Sequence, residues 1–422
     1  MEKHRNPSLR ILYISQYFPP EVGATQSRAF DMAYYLSERG HKVTVLCEFP
    51  NHPSGILPAR YRRKFWERRR MRRFRVCRCW VYATPQKTFV TRLLFYLSFM
   101  CSSIAAGLFL RDKFDVVYTT SPPLFVGVSG YILSRLKNAK FVFEVRDLWP
   151  ESAVALGELR NPGFIKRAGK LETFFYRKAE KIVGVTSGIL ENLMNRGVNP
   201  EKLQLIKNGT NIHLFKNRGD HKKDDLNLRG RFVVGYFGIF GLAQGMEQLC
   251  ELAERMKIYP DVHFLFVGDG PKKQNVLDLK SEKQLTNLTI LNEIRREEIA
   301  EYISACDAAL VPLRKNELFT GALPSKMFDN MACERPIILS VAGEAQKVLK
   351  DAESGIFVEP ENTAQMMEAI LKLKSDPELC KRMGRNGRRF VEKYFSRKKL
   401  ALELEACLQR IRNFSGRENF EI

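Results

Sequence analysis

The sequence predicts an α/β fold made of two doubly wound domains, each with a parallel sheet covered by helices, and three observations support this. Short apolar runs alternate with helix-length segments along the chain. The runs are continuously apolar, which is typical of strands that are buried on both faces. A polar, charged stretch near residues 213–230 separates two groups of runs, and 422 residues suffice for two domains.

The first domain begins with a strand, a loop, a helix and a second strand. The apolar run ILYIS (11–15) leads through the turn QYFPPEVG into the helical stretch QSRAFDMAYYLSERG, and then into GHKVTVLCEF. Similar units follow, with strands in FDVVYTTSPP, KFVFEVRDLWP, KIVGVTSG and LQLIKNG. Parallel strands need such helical crossovers. We therefore assign residues 1–212 to an N-terminal domain.

The second domain repeats this organisation after the polar stretch. Its strands are predicted in RFVVGYFG, VHFLFVGDG, LTILN, DAALVPL, RPIILS and SGIFVE, with helical patterns between most of them. We assign residues 213–395 to this domain. Residues 396–422 contain a last helical stretch, which we expect to pack back on the N-terminal domain.

The net charge of +22 is unusually high, and one segment supplies much of it. Residues 60–78 hold eleven Arg or Lys and one Glu, with Phe65, Trp66 and Phe74 among them. The following residues, 93–110, carry no charged side chain. Basic and apolar segments in sequence favour contact with an anionic membrane, with the aromatic side chains at headgroup level. We predict a membrane-associating insertion at 60–111; whether 93–110 enters the membrane interface or is a core helix stays open.

The cysteines and the N-terminal residues indicate the compartment. Nine cysteines are scattered without the spacing of a zinc or redox pair. The stretch MEKHRNPSLR contains no apolar signal-peptide region. We expect a reducing, cytoplasmic location, no metal and, since no nucleic-acid-binding motif is visible, no nucleic-acid partner.

Glycine-containing loops follow several predicted strands. Gly23 precedes the first helix, where backbone N–H groups suit an anion. The loop GYFGIFGLAQGME contains Gly238, Gly241 and Gln244, but not the spacing of a dinucleotide-binding motif. The turn GDGP contains Gly268 and Gly270. Because ligands of open α/β sheets bind at the carboxyl edge, these loops are candidates for binding a diphosphate.

Charged side chains stand at the same predicted edges. In LPSKMFDNMA, Lys326 opens a helix and Asp329 follows three residues later, on the same stripe as Asn330 and Cys333. With Arg314, which follows a strand, Lys326 suits phosphate, whereas Asp329 suits ribose hydroxyls. The other interpretation of this pair is a surface salt bridge. In VRDLWPES, Asp147 is a candidate acceptor-side base or binding group, or else the N-cap of the next helix.

Together these motifs resemble glycosyltransferase family 4, the retaining enzymes of the GT-B fold. The resemblance rests on QYFPPEVGATQSR, VRDLWPES, IKNGTNIHLF, GYFGIFGLAQG, FVGDGP and LPSKMFDNMACERPIIL, which span nearly the whole chain. The nearest likeness is to bacterial O-antigen and capsule enzymes of the N-acetyl-L-fucosamine transferase branch.

This resemblance implies a nucleotide-sugar donor, most often UDP-linked, a polyprenyl-linked saccharide acceptor and no metal or other cofactor. It places Asp329 at the ribose, Gly23 near the phosphates, and Glu293 and Ile294 beside the base. Together with the basic and apolar segment at 60–111, a lipid-linked acceptor predicts peripheral or monotopic attachment at the cytoplasmic side of the bacterial inner membrane.

The sequence departs from the family pattern in two places. Gly321 stands where a glutamate is expected, and Phe240 and Gln244 stand near the place of the usual Arg and Lys. Two other hypotheses stay open at this point. One is a sugar-nucleotide 2-epimerase of the same fold, and the other is a non-enzymatic module that binds membrane or RNA.

Overall fold

The computed structural model describes residues 7–52, 54–86, 88–157 and 159–414. These residues form two compact units. Unit 1 contains the described residues up to Lys207 and from Lys398 on, and unit 2 contains Asn208–Arg397. The division precedes the expected boundary at 212 because Thr210 pairs with Ser396 in a parallel bridge and its carbonyl accepts from the Arg397 N–H at 2.8 Å. These contacts hold residues 208–212 in unit 2.

Unit 1 is built on an eight-stranded sheet with the order β3-β4-β2-β1-β5-β6-β7-β8. All strand pairs of this sheet are parallel except β3 with β4. The strands are β1 Arg10–Ile14, β2 Lys42–Glu48, β3 Trp66–Met71, β4 Phe74–Cys79, β5 Val116–Ser121, β6 Lys140–Val145, β7 Lys181–Gly184 and β8 Leu203–Leu205. The helices before residue 208 are α1 Ala24–Glu38, α2 Phe89–Leu108, α3 Val126–Leu136, α4 Glu151–Ala155, α5 Pro162–Lys178 and α6 Ser187–Asn195.

Unit 2 has a six-stranded, entirely parallel sheet with the order β11-β10-β9-β12-β13-β14. Its strands are β9 Phe232–Phe237, β10 Val262–Val267, β11 Leu288–Leu291, β12 Ala308–Pro312, β13 Ile337–Ser340 and β14 Gly355–Phe357. Its helices are α7 Lys222–Asp225, α8 Met246–Arg255, α9 Lys273–Glu282, α10 Ile299–Ser304, α11 Ser325–Ala332, α12 Glu344–Ala352, α13 Thr363–Ser375 and α14 Pro377–Tyr394. The predicted fold class of two parallel-sheet domains is confirmed.

The stretch expected to link the domains is structured. It contains α7, and Phe215 and Leu228 are buried in the core of unit 2. Burying two large apolar side chains is favourable, so this segment folds as part of unit 2 instead of remaining a polar connection.

The last helix, α15 (Arg397–Phe414), belongs almost entirely to unit 1. Its apolar side chains at Leu400, Leu404 and Leu408 are buried in the same core as α1. Glu405 of α15 forms ion pairs with Arg39 at 2.9 Å and His41 at 3.1 Å. Residues 415–422 of the predicted C-terminal segment lie outside the described residues.

The basic segment at 60–78 contains an antiparallel hairpin at the edge of the sheet, which was not predicted from the sequence. Strand β3 pairs with β4 from Trp66↔Cys79 to Met71↔Phe74. Arg72 sits in the turn with φ of 51°. Phe74 is only 1% exposed, so its expected position at headgroup level is wrong. It points into the core between α1 and the sheet, and Phe65 is the exposed aromatic residue.

Helix α2 packs on unit 1 through a narrow face of small residues. Ser103 Oγ lies 2.8 Å from Ser129 Oγ of α3, and a Cβ at Gly107 would come within 2.5 Å of Leu133. Among the described helices, α2 is the one that is long and apolar enough to cross a membrane, and 22% of its most apolar stretch is buried. Most residues of this apolar helix are therefore exposed or only partly covered by the protein.

Candidate functional site

The candidate site in unit 2 is formed by two glycine loops at the carboxyl edge of its sheet. A Cβ at Gly268 would lie 1.9 Å from the carbonyl oxygen of Gly238, and one at Gly270 would lie 2.6 Å from that of Phe240. The Phe240 N–H also donates to the Asp269 carbonyl at 2.9 Å. Only glycine permits this close approach, so the loops after β9 and β10 form one double loop.

Lys326 reaches this double loop from the first turn of α11. Its Nζ donates a hydrogen bond to the Tyr236 hydroxyl at 2.8 Å and lies 4.0 Å from the centre of that ring. A Cβ at Gly238 would lie 3.1 Å from the same Nζ. Burial lowers the pKa of Lys326 to about 7. The structure thus brings the predicted residues Lys326 and Gly238 together, and it adds Tyr236 to the candidate site.

Arg314 lies next to the same loops but is engaged by a carboxylate. Its Nη2 is 2.9 Å from Glu247 Oε2, and Lys272 Nζ is 2.7 Å from Glu247 Oε1. The Arg314 N–H donates to the Ala243 carbonyl at 2.8 Å, beside Gln244. Burial alone would raise the pKa of Glu247, but the bonds from Lys272 and Arg314 hold it below its usual range.

Glu247 and Lys272 were not predicted from the sequence. Each stands beside a glycine loop, Glu247 in the first turn of α8 and Lys272 just before α9. The signal available in the sequence was an acidic residue directly after one glycine loop and a lysine directly after the other. A pairing between elements this far apart in sequence is set by the fold.

Asp329 is held by a residue from the start of unit 2. The Thr210 hydroxyl donates to Asp329 Oδ1 at 2.6 Å, which orients the carboxylate. The expected polar stripe is wrong for two members, because Asn330 and Cys333 are both fully buried. Asn330 is enclosed in the interior of unit 2, and Cys333 lies beyond the last residue of α11. Lys326 and Asp329 are thus held by different partners, Tyr236 and Thr210.

The loop before α11 is held by the residues that follow β13. The Glu344 N–H donates to the Thr320 carbonyl at 2.8 Å. A Cβ at Gly343, where φ is 82°, would lie 2.0 Å from the same oxygen. Gly321 therefore directly follows Thr320, whose carbonyl is held by this hydrogen bond. Glu317, the nearest preceding acid, is exposed.

The predicted base-binding residues follow β11. Glu293 lies near Asp269, and burial first, then this neighbouring carboxylate, raises the pKa of Glu293. Lys273 contacts both Asp269 and Asn292. Ile294 packs against the core of unit 2, so this side chain contributes to the packing of that unit.

The two remaining predicted residues, Gly23 and Asp147, lie in unit 1. Gly23 directly precedes α1, and a Cβ there would lie 2.4 Å from Gln26 Oε1. Asp147 accepts hydrogen bonds from Ser152 and from the Leu148 N–H, and burial raises its pKa. These bonds tie Asp147 to the segment that leads into α4, but the N-cap of that helix is Pro150, so the expected N-cap alternative for Asp147 is wrong.

The described residues contain no group of three or more His, Cys, Asp or Glu arranged to hold a metal ion. All nine cysteines are free thiols, and only Cys101 is exposed among them. The candidate site is thus built from lysine, arginine, glycine and single carboxylates.

Two family models match the chain, one to each part. The model described as "Glycosyl transferase 4-like domain" matches residues 23–209, and "Glycosyl transferases group 1" matches residues 217–390. The putative colanic acid biosynthesis glycosyl transferase WcaI of Escherichia coli is 26% identical, over 86% of this chain and 91% of its own. One phosphatidylinositol N-acetylglucosaminyltransferase subunit from Arabidopsis thaliana is 21% identical, over 87% of this chain and 74% of its own.

The fold is shared with solved glycosyltransferases. The structure of Anabaena HepE in complex with UDP-glucose superposes with a TM-score of 0.71 at 16% identity, covering 95% of this chain and 100% of that one. The two matching family models together span most of the chain, and each covers one parallel-sheet unit. The chain is therefore a glycosyltransferase and belongs to family 4 of the GT-B fold.

Proposed function

We propose that this enzyme moves a sugar, with retention, from a nucleotide sugar to a lipid-linked saccharide in the synthesis of a cell-surface polysaccharide such as O-antigen or capsule. The observation that carries the proposal is the placement of Lys326 on the glycine double loop, with Arg314 beside it. WcaI is named for colanic acid biosynthesis and HepE was solved with UDP-glucose, which supports a UDP-linked donor and a polysaccharide product.

The finer donor assignment is a UDP-linked N-acetylated amino sugar such as UDP-N-acetyl-L-fucosamine. It rests on the motif resemblance, and the N-acetylglucosaminyltransferase relative supports the amino-sugar class. A panel of UDP-sugars in a thermal-shift assay tests it, because a ligand that binds only the native state raises the unfolding temperature.

In the proposed reaction the bond between the anomeric carbon and the diphosphate breaks, and a bond to the acceptor hydroxyl forms on the same face. Negative charge grows on the departing diphosphate. Lys326, and Arg314 once it leaves Glu247, would stabilise that charge, while Asp329 would bind the ribose. Asp147 stays our candidate for the acceptor-side base. We propose that no metal is needed, so transfer in excess EDTA should proceed unchanged.

Donor binding is expected to take up a proton at alkaline pH. With a pKa of about 7, Lys326 is mostly neutral at pH 8, and a bound diphosphate would favour its charged form. Uptake should approach about 0.9 proton at pH 8 and fall to about 0.1 at pH 6, where the side chain is already charged. Calorimetric titration with a UDP-sugar, whose doubly esterified diphosphate does not titrate in this range, in buffers of different ionisation enthalpy measures this number. Equal uptake at both pH values would contradict the assignment.

The same group affects stability in the opposite direction from a salt-bridged lysine. The pKa of Lys326 is lower in the folded protein than its ordinary value of 10.5, so the unfolded chain binds more protons between these values. The contribution of Lys326 to the free energy of unfolding therefore rises as pH increases from about 7 to about 10.5.

Replacing Asp329 with Asn should raise the donor KM about tenfold, because a charged acceptor for a ribose hydroxyl becomes a neutral one. Thr210→Val tests the orienting bond separately and should have a smaller effect on KM. Asp351→Asn, which removes an exposed carboxylate of unit 2, is the matched control. Steady-state kinetics with the donor varied would contradict the ribose role if Asp329→Asn gave the same KM as the wild type and the control.

We also propose that the enzyme is peripheral or monotopic at the cytoplasmic side of the bacterial inner membrane, where a polyprenyl-linked acceptor would be available. Support comes from the uncovered apolar side chains of α2, namely Phe89, Val90, Leu94 and Leu108, each more than 40% exposed. The arginine-rich hairpin adjoins this helix, because Trp66 stacks on Phe109 at 5.2 Å and Arg68 donates to the Phe109 carbonyl at 2.8 Å.

The decisive experiment for the function is transfer of labelled sugar from the UDP-sugar to a lipid extract. Incorporation of label into the organic phase is the expected result. Conversion of the UDP-sugar without any acceptor would instead favour the epimerase hypothesis. Salt-sensitive RNA binding without any affinity for UDP-sugars would favour a binding module.

A further inference from the structure

A buried ion pair lies at the centre of unit 1. Arg28 of α1 and Glu144 of β6 are almost completely buried and lie 2.8 Å apart. Arg28 Nε donates to Glu144 Oε1, while Nη2 and Nη1 donate to the carbonyls of Ile206 and Lys207 at 2.9 and 2.8 Å. Tyr118 donates its hydroxyl to Glu144 Oε1 at 2.6 Å. This pair is therefore largely satisfied by its own surroundings.

A second guanidinium stands beside the pair without such partners. Arg146 follows Glu144 by two residues, so both side chains project from the same face of the extended chain. Its Nε and Nη1 are shielded from solvent, and within the described part of the chain neither makes a hydrogen bond. Burial lowers the pKa of Arg146, even though the Glu144 charge opposes that shift.

The nearby carboxylates do not satisfy these donors. Glu144 and Asp147 both interact electrostatically with Arg146, but Asp147 is hydrogen-bonded to Ser152 and Leu148. Glu144 Oε2 has no hydrogen-bond partner among the described residues. Buried donors without an acceptor are costly unless a ligand supplies one.

Arg146 lies at a sheet edge of the kind that binds ligands, although its Nε and Nη1 are covered by protein in the absence of one. Arg146 comes directly after β6, at the carboxyl edge of a parallel sheet, and the residue as a whole is only partly buried. Open α/β sheets bind ligands at this edge. A guanidinium group offers a planar set of donors that matches a phosphate in bidentate geometry.

We propose that Arg146 forms an oxyanion site in unit 1 that binds a phosphate group of the lipid-linked acceptor. The identity of the acceptor rests on the proposed function, whereas the oxyanion site itself rests on Arg146 and its surroundings. The ligand supplies acceptors for the guanidinium donors of Arg146 that have no hydrogen-bond partner among the described residues. The diphosphate of the donor is the other possible source of the same chemistry, and the experiment separates the two.

The test measures binding of inorganic pyrophosphate to the full chain by calorimetry, with saturating UDP present to fill the donor site. The wild type should still bind pyrophosphate. Arg146→Met, which keeps the length but removes the donors, should weaken this binding about tenfold or more, while Arg146→Lys should recover part of it. Arg135→Met, at an exposed position on α3, is the control and should bind like the wild type.

Unfolding temperature without ligand is the second measurement. Because Arg146→Met removes buried donors that have no acceptor among the described residues, its unfolding temperature should equal or exceed that of the wild type. A lower unfolding temperature with unchanged pyrophosphate binding would overturn the proposal and make Arg146 a structural partner of Glu144. Loss of all pyrophosphate binding once UDP is added would overturn the acceptor assignment and point to the donor's diphosphate.

These outcomes are separable from failure of the proposed function. Binding of UDP itself, measured on the wild type and on Arg146→Met, reports on the donor site of unit 2 and should be the same for both proteins. If the wild type did not bind UDP, the proposed function would fail, but the pyrophosphate difference between the two proteins would still be measurable.

Discussion

Replacing Lys326 with Met is expected to lower kcat/KM for sugar transfer by about 10²–10³-fold, the usual loss when one fixed donor to a developing charge is removed. Lys326 is the cation that touches the glycine double loop, through Tyr236 and against Gly238. Methionine preserves the length of the side chain and its packing, so the change isolates the ammonium group. Transfer of labelled sugar at varied donor concentration gives the measurement.

A control variant and an unfolding measurement test whether the loss comes from the ammonium group of Lys326. Lys347→Met removes a 73%-exposed lysine from α12 of the same unit and should leave kcat/KM unchanged. Burial disfavours the charged form of Lys326, so the Met variant should unfold at a temperature no lower than the wild type. Wild-type transfer by a folded Lys326→Met variant would show that the diphosphate lies elsewhere.

Replacing the five arginines at 68–73, of the seven in the hairpin, with Gln is expected to reduce binding to anionic vesicles by about 10³-fold. Each basic residue near an anionic leaflet contributes on the order of 1 kcal/mol, and part of this is already offset by the bonds from two of them to Glu67 and Glu38. Co-sedimentation with vesicles containing phosphatidylglycerol measures the loss. The changed residues are Arg68, Arg69, Arg70, Arg72 and Arg73.

A control with the same change in net charge tests whether the hairpin itself matters. Five exposed basic residues lie on α14 in unit 2, and replacing them with Gln should leave vesicle binding nearly unchanged. Equal release by both sets would mean that overall charge, and not the hairpin, drives association. Salt should weaken wild-type binding, because exposed charges are screened. The control residues are Lys381, Arg382, Arg385, Arg389 and Lys393.

The parallel strands were predictable because strands buried on both faces consist of continuous apolar runs. The hairpin β3–β4 was not, because its outer strand reads WERRRM and contains four charged residues. An edge strand has one neighbour and is largely exposed, so it needs no apolar run. Only pairing with β4, itself added to the sheet beside β2, shows that the basic segment is a strand.

The two-unit α/β fold, the glycine loops and the cations of the candidate site could all be predicted from the sequence, because local spacing encodes turns, strand ends and helix starts. Which groups meet depends on the folded chain. Arg314 is engaged by Glu247, Lys326 lies on Tyr236 and Asp329 is bound by Thr210. Within the described ranges, folding also leaves Nε and Nη1 of Arg146 without hydrogen-bond partners. These arrangements join residues far apart in sequence, and their burial, which sets their charge state, exists only once the sheets are packed.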